Sequence, residues 1–153
     1  FADCAPLLFF DPVRRVIGLA HAGWRGTLAG VGPATVRAMA DHFGSRPRDI
    51  IAGIGPAIGP CCYEVGDEVV AQVRQTFPHS PELLIPPVNG HRGPHFDLWA
   101  ANEQALRSAG VQQVETARLC TACQSYEFFS HRAEAGRTGR FAALIALTTE
   151  ALP

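Results

Sequence analysis

The chain has 153 residues, the size of one domain with one substantial core. With 47% hydrophobic and 18% charged residues it is not a disordered chain, and a net charge of -1 gives no general pull toward nucleic acid or membrane. All thirteen basic residues are arginine, so lysine Schiff-base chemistry is excluded and any anion must be held by Arg or backbone amides.

The chain opens directly in an apolar stretch without Met, which points to an N-terminally truncated segment. Ala5 to Phe10 and Arg15 to Ala20 are two apolar runs separated by the turn signal Asp11-Pro12, and they read as a hairpin of buried strands. Thr27 to His42 is expected to be a helix, with Pro33 in its first turns or delaying its start and Gly44 ending it. Ile50 to Ile54 is a buried strand that runs into a rigid loop, Gly55 to Pro60. Asp67 to Phe77 reads as a helix. Pro78 to Pro94, rich in Pro, Gly and His, reads as a long surface loop. Asp97 to Ala109 is a helix with Asp97 as N-cap and Gly110 as its stop. Val111 to Ala117 is a strand, and Phe141 to Leu147 is a last apolar strand expected in the sheet centre. The alternation is irregular and implies a mixed α/β fold in a single domain.

No apolar run approaches the ~20 residues of a membrane span. No signal peptide is visible, and five cysteines is an odd number. The expectation is reduced thiols in a cytoplasmic protein.

Cys4 starts the first strand and His21 ends the second, so an antiparallel hairpin would bring them together. They could ligate a metal, or act as nucleophile and base, or be a buried thiol beside a satisfied histidine. Asp3 could orient His21 or accept a proton. The H-A-G-W-R-G run at residues 21–26 ends a strand and precedes a helix. Its amides and Arg25 suit an anion, and Trp24 could stack on a base, although a tight turn with an exposed Arg would look the same. Cys61-Cys62 reads as a stiff turn, since adjacent cysteines do not easily share one metal. Cys120 and Cys123 form a lone C-x-x-C without a partner pair, which argues against a zinc ribbon. Ser130, His131, Arg132 and Arg140 are polar groups between aromatics and the last apolar run, placed to line a pocket or to form a solvated loop.

Taken in order, A-D-C-x-P, H-A-G-W-R-G, I-G-P-A-I-G-P-C-C-Y-E-V-G, F-D-L, L-C-T, F-F-S-x-R and T-G-R resemble the YfiH/LACC1 family over nearly the whole chain. That family was formerly described as multicopper polyphenol oxidase (laccase-like) and is now described as purine nucleoside phosphorylase. The resemblance implies a mixed-sheet layered α/β sandwich of the CNF1/YfiH-like type, with residues 1–153 as the C-terminal portion of such a domain. It implies one zinc held by Cys4, His21 and a histidine upstream of this segment. None of His42, His79, His91, His95 or His131 matches that third position. His131 stands where the family commonly has Tyr, and Phe1 where it commonly has Thr.

The implied activity is zinc-dependent phosphorolysis of purine nucleosides, including methylthioadenosine, together with adenosine deamination. Cys4, His21 and Arg25 would be catalytic. Asp3, Trp24, Arg25, Ser130, Arg132 and Arg140 would bind substrate, with Phe129 a further stacking candidate. Partners would be nucleosides and phosphate, without nucleic acid or membrane. Three alternatives stand beside this reading. One is a Cys4 nucleophile with His21 as base, cleaving an amide as in peptidoglycan-precursor editing. Another is copper-based phenol oxidation, disfavoured because six histidines are too few for several copper sites. The third is an inactive metal-binding or scaffold fragment.

Overall fold

In the computed structural model, described over residues 1–87 and 93–148, a four-stranded sheet carries helices on one face. Strands β1 (Ala5–Asp11) and β2 (Val16–Ala22) form the expected hairpin, seven residues each. Asp11 closes its turn by accepting hydrogen bonds from the Val13 and Arg14 amides at 2.8 and 3.0 Å. β3 (Ile51–Ile54) pairs antiparallel with β1, and β6 (Gln113–Thr116) pairs parallel with β3, giving the order β2-β1-β3-β6. Leu7 and Phe9 of β1 and Ala52 and Ile54 of β3 alternate toward the core and are fully or almost fully buried.

The expected helix at 27–42 is two helices, α1 (Trp24–Leu28) and α2 (Val31–Phe43). Gly30 adopts φ +74° between them, a left-handed step that breaks the first helix and caps the second. Pro33 is the third residue of α2, where no intrahelical partner for its missing N–H exists, so it is tolerated. α3 (Asp67–Thr76) and α4 (Leu98–Ser108) fall where expected, and Asp97 caps α4 by accepting from the Ala100 amide at 2.9 Å. Helix α2 lies over β2, and α4 over β3 and β6.

Two expectations are corrected. Part of the 78–94 loop is ordered: Pro81–Leu83 forms a 3-10 turn with Leu83 buried, and β4 (Leu84–Ile85) pairs with β5 (His95–Phe96). Residues 88–92 of that loop lie outside the described residues. Phe141 to Leu147 is not a strand, and the sheet centre is held by β1 and β3. The segment is tied at its start, where Phe141 and Phe1 exchange backbone hydrogen bonds, and at its end, where Arg15 donates to the Thr148 carbonyl at 2.9 Å. Between those ties Leu144 is 88% exposed, so the apolar run is not a core strand here. Hydropathy alone does not separate a central strand from a run laid along a surface.

Candidate active site

The β1–β2 register sets Ala5 opposite Ala22 and Pro6 opposite His21, which places Cys4 beside Gly23. A β-carbon on Gly23 would stand 2.8 Å from Cys4 Sγ, so only glycine leaves room for the thiol. Cys4 and His21 line one cavity of about 420 Å³. Around them stand Phe1, Asp3, Trp24, Tyr63, His131, Arg132 and Arg140. The His21 ring stacks on Phe1 with centroids 4.7 Å apart. A larger cavity of about 660 Å³ lies between α2, residues 76–80 and α4, but its walls carry neither Cys4 nor His21.

Burial pushes the Cys4 thiol above its ordinary value, and the Asp3 carboxylate adds to this, against the opposing pull of the N-terminus and Arg140. A nucleophilic cysteine needs the reverse shift. The donor types, one thiol and one imidazole on the wall of one cavity, match zinc chemistry. Among the described residues no third donor groups with them. Gly23→Ala is expected to push the Cys4 thiol aside and to cost about 10- to 100-fold in metal affinity or activity, with the circular dichroism spectrum unchanged. Zinc titration of the two proteins checks it.

The Asp3 carboxylate is engaged by partners other than His21. Its Oδ1 accepts from Thr121 Oγ1 at 2.7 Å and Ser130 Oγ at 2.8 Å, and its Oδ2 from the Arg132 amide at 2.7 Å. The Asp3 carbonyl accepts the Ile58 amide at 2.9 Å. Ser130 is fully buried and absent from the cavity wall, and its hydroxyl is joined to the cavity-lining Asp3 by its hydrogen bond. Arg132 reaches the cavity, with its guanidinium 5.5 Å from the Tyr63 ring centroid and donating to the Glu64 carbonyl at 2.9 Å. Arg140 lines the same wall and is held by the Thr138 and Gly139 carbonyls. Arg25 does not line it. Its guanidinium lies 4.3 Å over the Trp24 ring and faces a neighbouring groove with Glu68 and Gln72. Phe129 is also off the wall; it is 44% exposed.

Tyr63 was missed by sequence reasoning, although the C-C-Y-E-V-G motif contains it. It lines the cavity, and burial pushes its phenol up to about 12, so it stands there as a neutral hydrogen-bonding group.

The second finding lies at the far ends of β3 and β6. Parallel neighbours leave a sheet at the same end, so the loops that follow them meet. The pairing continues past the strands: Ala57 donates to the Leu119 carbonyl and accepts from the Thr121 amide, each at 3.2 Å. Cys61 and Cys62 thereby face Cys120 and Cys123, with the four sulfurs within 4.8 Å of one another. This group could hold a metal ion, and it corrects the expectation that the C-x-x-C has no partner. Burial, with Cys123 and Cys120 adding to it, pushes the Cys61 thiol far up and that of Cys62 to about 12. Burial opposes ionisation at Cys120, but the hydrogen bonds from the Gly59 and Cys123 amides and from the Cys61 and Cys123 thiols together outweigh it and hold this thiol low.

No helix among the described residues is long and apolar enough to cross a membrane. Residues 1–148 match the family model described as multi-copper polyphenol oxidoreductase laccase. The chain is 44% identical over 148 residues to "Purine nucleoside phosphorylase YlmD" of Geobacillus stearothermophilus, covering 95% of this chain and 53% of that protein. It is 38% identical over 136 residues to human "Purine nucleoside phosphorylase LACC1", covering 85% of this chain and 30% of that protein. The crystal structure of the Bacillus licheniformis hypothetical protein YfiH superposes with a TM-score of 0.82 at 42% identity, over 91% of this chain and 52% of that one. The chain spans about half the length of the bacterial relatives it matches. On the extent of these matches and the shared mixed-sheet fold, the chain belongs to the YfiH family, whose model is described as multi-copper polyphenol oxidoreductase laccase.

Proposed function

We propose that this chain carries the Cys4–His21 half of the active site of a zinc-dependent purine nucleoside phosphorylase. The observation that carries this is the cavity of about 420 Å³ in which Cys4 and His21 stand with Trp24, Tyr63, Arg132 and Arg140. Its size falls in the range of small-molecule sites. The names of the relatives, purine nucleoside phosphorylases of Geobacillus stearothermophilus, Deinococcus radiodurans, Escherichia coli and human, support the same substrate class.

Cys4 and His21 would hold the zinc, with the third donor coming from the part of the relatives' length that this chain does not span. When bound, zinc supplies Lewis-acid chemistry at the reacting centre, which suits adenosine deamination as well as phosphorolysis. The chain's own residues supply the rest. Arg132 and Arg140 are the guanidinium groups on the wall, and they would hold phosphate or the ribose 1-phosphate product. In this geometry they replace Arg25 as the anion cradle, while Arg25 holds Trp24 in place through its cation–π contact. Trp24 and Tyr63 offer aromatic faces to a purine. The neutral Tyr63 hydroxyl can donate a hydrogen bond to a ring nitrogen or accept one from the exocyclic amine. Asp3 orders Thr121, Ser130 and the Arg132 backbone and thereby positions the arginine.

The full-length, zinc-replete protein incubated with inosine and phosphate is expected to yield hypoxanthine and ribose 1-phosphate. Absence of both products, read by chromatography, overturns the phosphorylase reading. Adenosine and methylthioadenosine in the same assay test the deaminase and methylthioadenosine phosphorylase activities, which are the finer part of the proposal.

A further inference from the structure

The four cysteines at the ends of β3 and β6 belong to neither the cavity nor the proposed reaction. We propose that Cys61, Cys62, Cys120 and Cys123 form a second metal site, a structural tetrathiolate that binds zinc and ties the two loops together.

The spacing of the four sulfurs fits a tetrahedral thiolate site. With Zn–S near 2.3 Å, the corners of a regular tetrahedron are about 3.8 Å apart. Cys123 Sγ lies 3.5 Å from Cys61 Sγ and 3.4 Å from Cys62 Sγ, and all four sulfurs fall within 4.8 Å of one another. A small contraction or expansion about a common centre brings them to the zinc distance. Adjacent cysteines on an extended strand would point to opposite sides. Here both sit in a turn closed on Gly59, whose carbonyl accepts the Cys62 and Tyr63 amides at 3.0 Å, and the turn aims both thiols at the same partner. The Gly59 amide in turn donates to Cys120 Sγ at 3.2 Å, the backbone support that a charged metal thiolate takes in its outer shell. Four thiolates without a carboxylate or open position describe a closed structural site and select zinc over hard cations.

The position of the site explains what it would do. The loop after β3 brings Ile58 and Tyr63 to the cavity, and the loop after β6 brings Thr121 to Asp3. Both loops are held together near the sheet by the hydrogen bonds at Ala57. The metal would join them further out, where Cys61 and Cys123 are exposed.

The test uses the full-length protein in which Cys4 and His21 are both replaced by alanine, so that zinc at the cavity does not contribute. This protein is expected to retain one zinc per chain by elemental analysis. Replacement by cobalt is expected to give the intense visible absorption and the sulfur-to-metal charge-transfer band of a tetrahedral thiolate site. Adding Cys123→Ser is expected to abolish stoichiometric zinc retention and to lower the melting temperature. The exposed Cys123 makes this variant tolerant, and the cobalt spectrum of the unsubstituted cluster stands as evidence even if the variant does not fold. The proposal is overturned if the Cys4/His21 variant holds no zinc after refolding with excess metal under reducing conditions. It is equally overturned if mass spectrometry of protein kept reduced during purification finds a disulfide among the four cysteines in place of metal.

Discussion

Replacing Asp3 with alanine is expected to destabilise the protein by about 3 kcal/mol, and the reason lies in where three hydrogen bonds end. Thr121 and Ser130 are fully buried, and both hydroxyls donate to Asp3 Oδ1. The Arg132 amide donates to Oδ2. Removing the acceptor leaves the two buried hydroxyls unpaired, each such loss costing roughly 1–3 kcal/mol, while the exposed Arg132 amide can turn to water. Asp3 also sits at φ +80°, a conformation that Asp tolerates better than Ala, which adds to the penalty. For a chain of this size the sum corresponds to a drop in Tm of roughly 6–12 °C. Asp3→Asn keeps the shape and one acceptor, so its loss should be about half as large. Thermal unfolding of the two variants checks both values. A loss under about 1 kcal/mol for Asp3→Ala would show that the network is not held through this carboxylate.

The same residue shows how far the sequence could be read. Asp3 stood next to Cys4, and proximity along the chain suggested a partner for His21. The hairpin was legible because two short apolar runs around Asp11-Pro12 leave few alternatives, and a hairpin forces Cys4 toward His21. The direction of the Asp3 side chain was not legible, because it depends on residues 121–132 folding back over more than a hundred intervening positions. The cysteine cluster was hidden for a similar reason. C-C and C-x-x-C were visible as separate motifs, but only the parallel pairing of β3 with β6 brings them together, and parallel order leaves no local signal in a sequence. Helix boundaries with chemical markers read well, as at Asp97 and Gly44, where the cap and the left-handed stop are where the residue types place them. Phe141 to Leu147 misled because an apolar run reports hydrophobicity and not a partner, and its residues here alternate between half-buried and exposed.

Cys4→Ser and His21→Ala are each expected to lower phosphorolysis by the full-length protein about 100-fold or more, since loss of even an outer-shell partner of a metal ligand costs 10- to 100-fold. Loss of activity alone does not separate a ligand from a nucleophile, because both roles need the sulfur. Thiol labelling does. Burial and the Asp3 charge raise the Cys4 thiol, so in metal-free protein it is neutral at neutral pH and alkylates slowly. The sign follows from the direction of the shift. The folded state favours the protonated thiol, so the stability gained from it is present below the ordinary thiol value and falls as pH climbs through the raised one. Alkylation of metal-free protein by iodoacetamide should therefore accelerate as pH rises above that of an ordinary thiol. Read at the peptide that carries Cys4, so that the four clustered cysteines do not contribute, zinc should suppress it at every pH and a chelator should restore it. A nucleophile held as thiolate by His21 would behave in the opposite way: fast labelling at neutral pH, unchanged by chelator, and slowed by His21→Ala. The raised thiol beside an imidazole on a shared cavity wall predicts the first pattern, and observing the second would make Cys4 the attacking group.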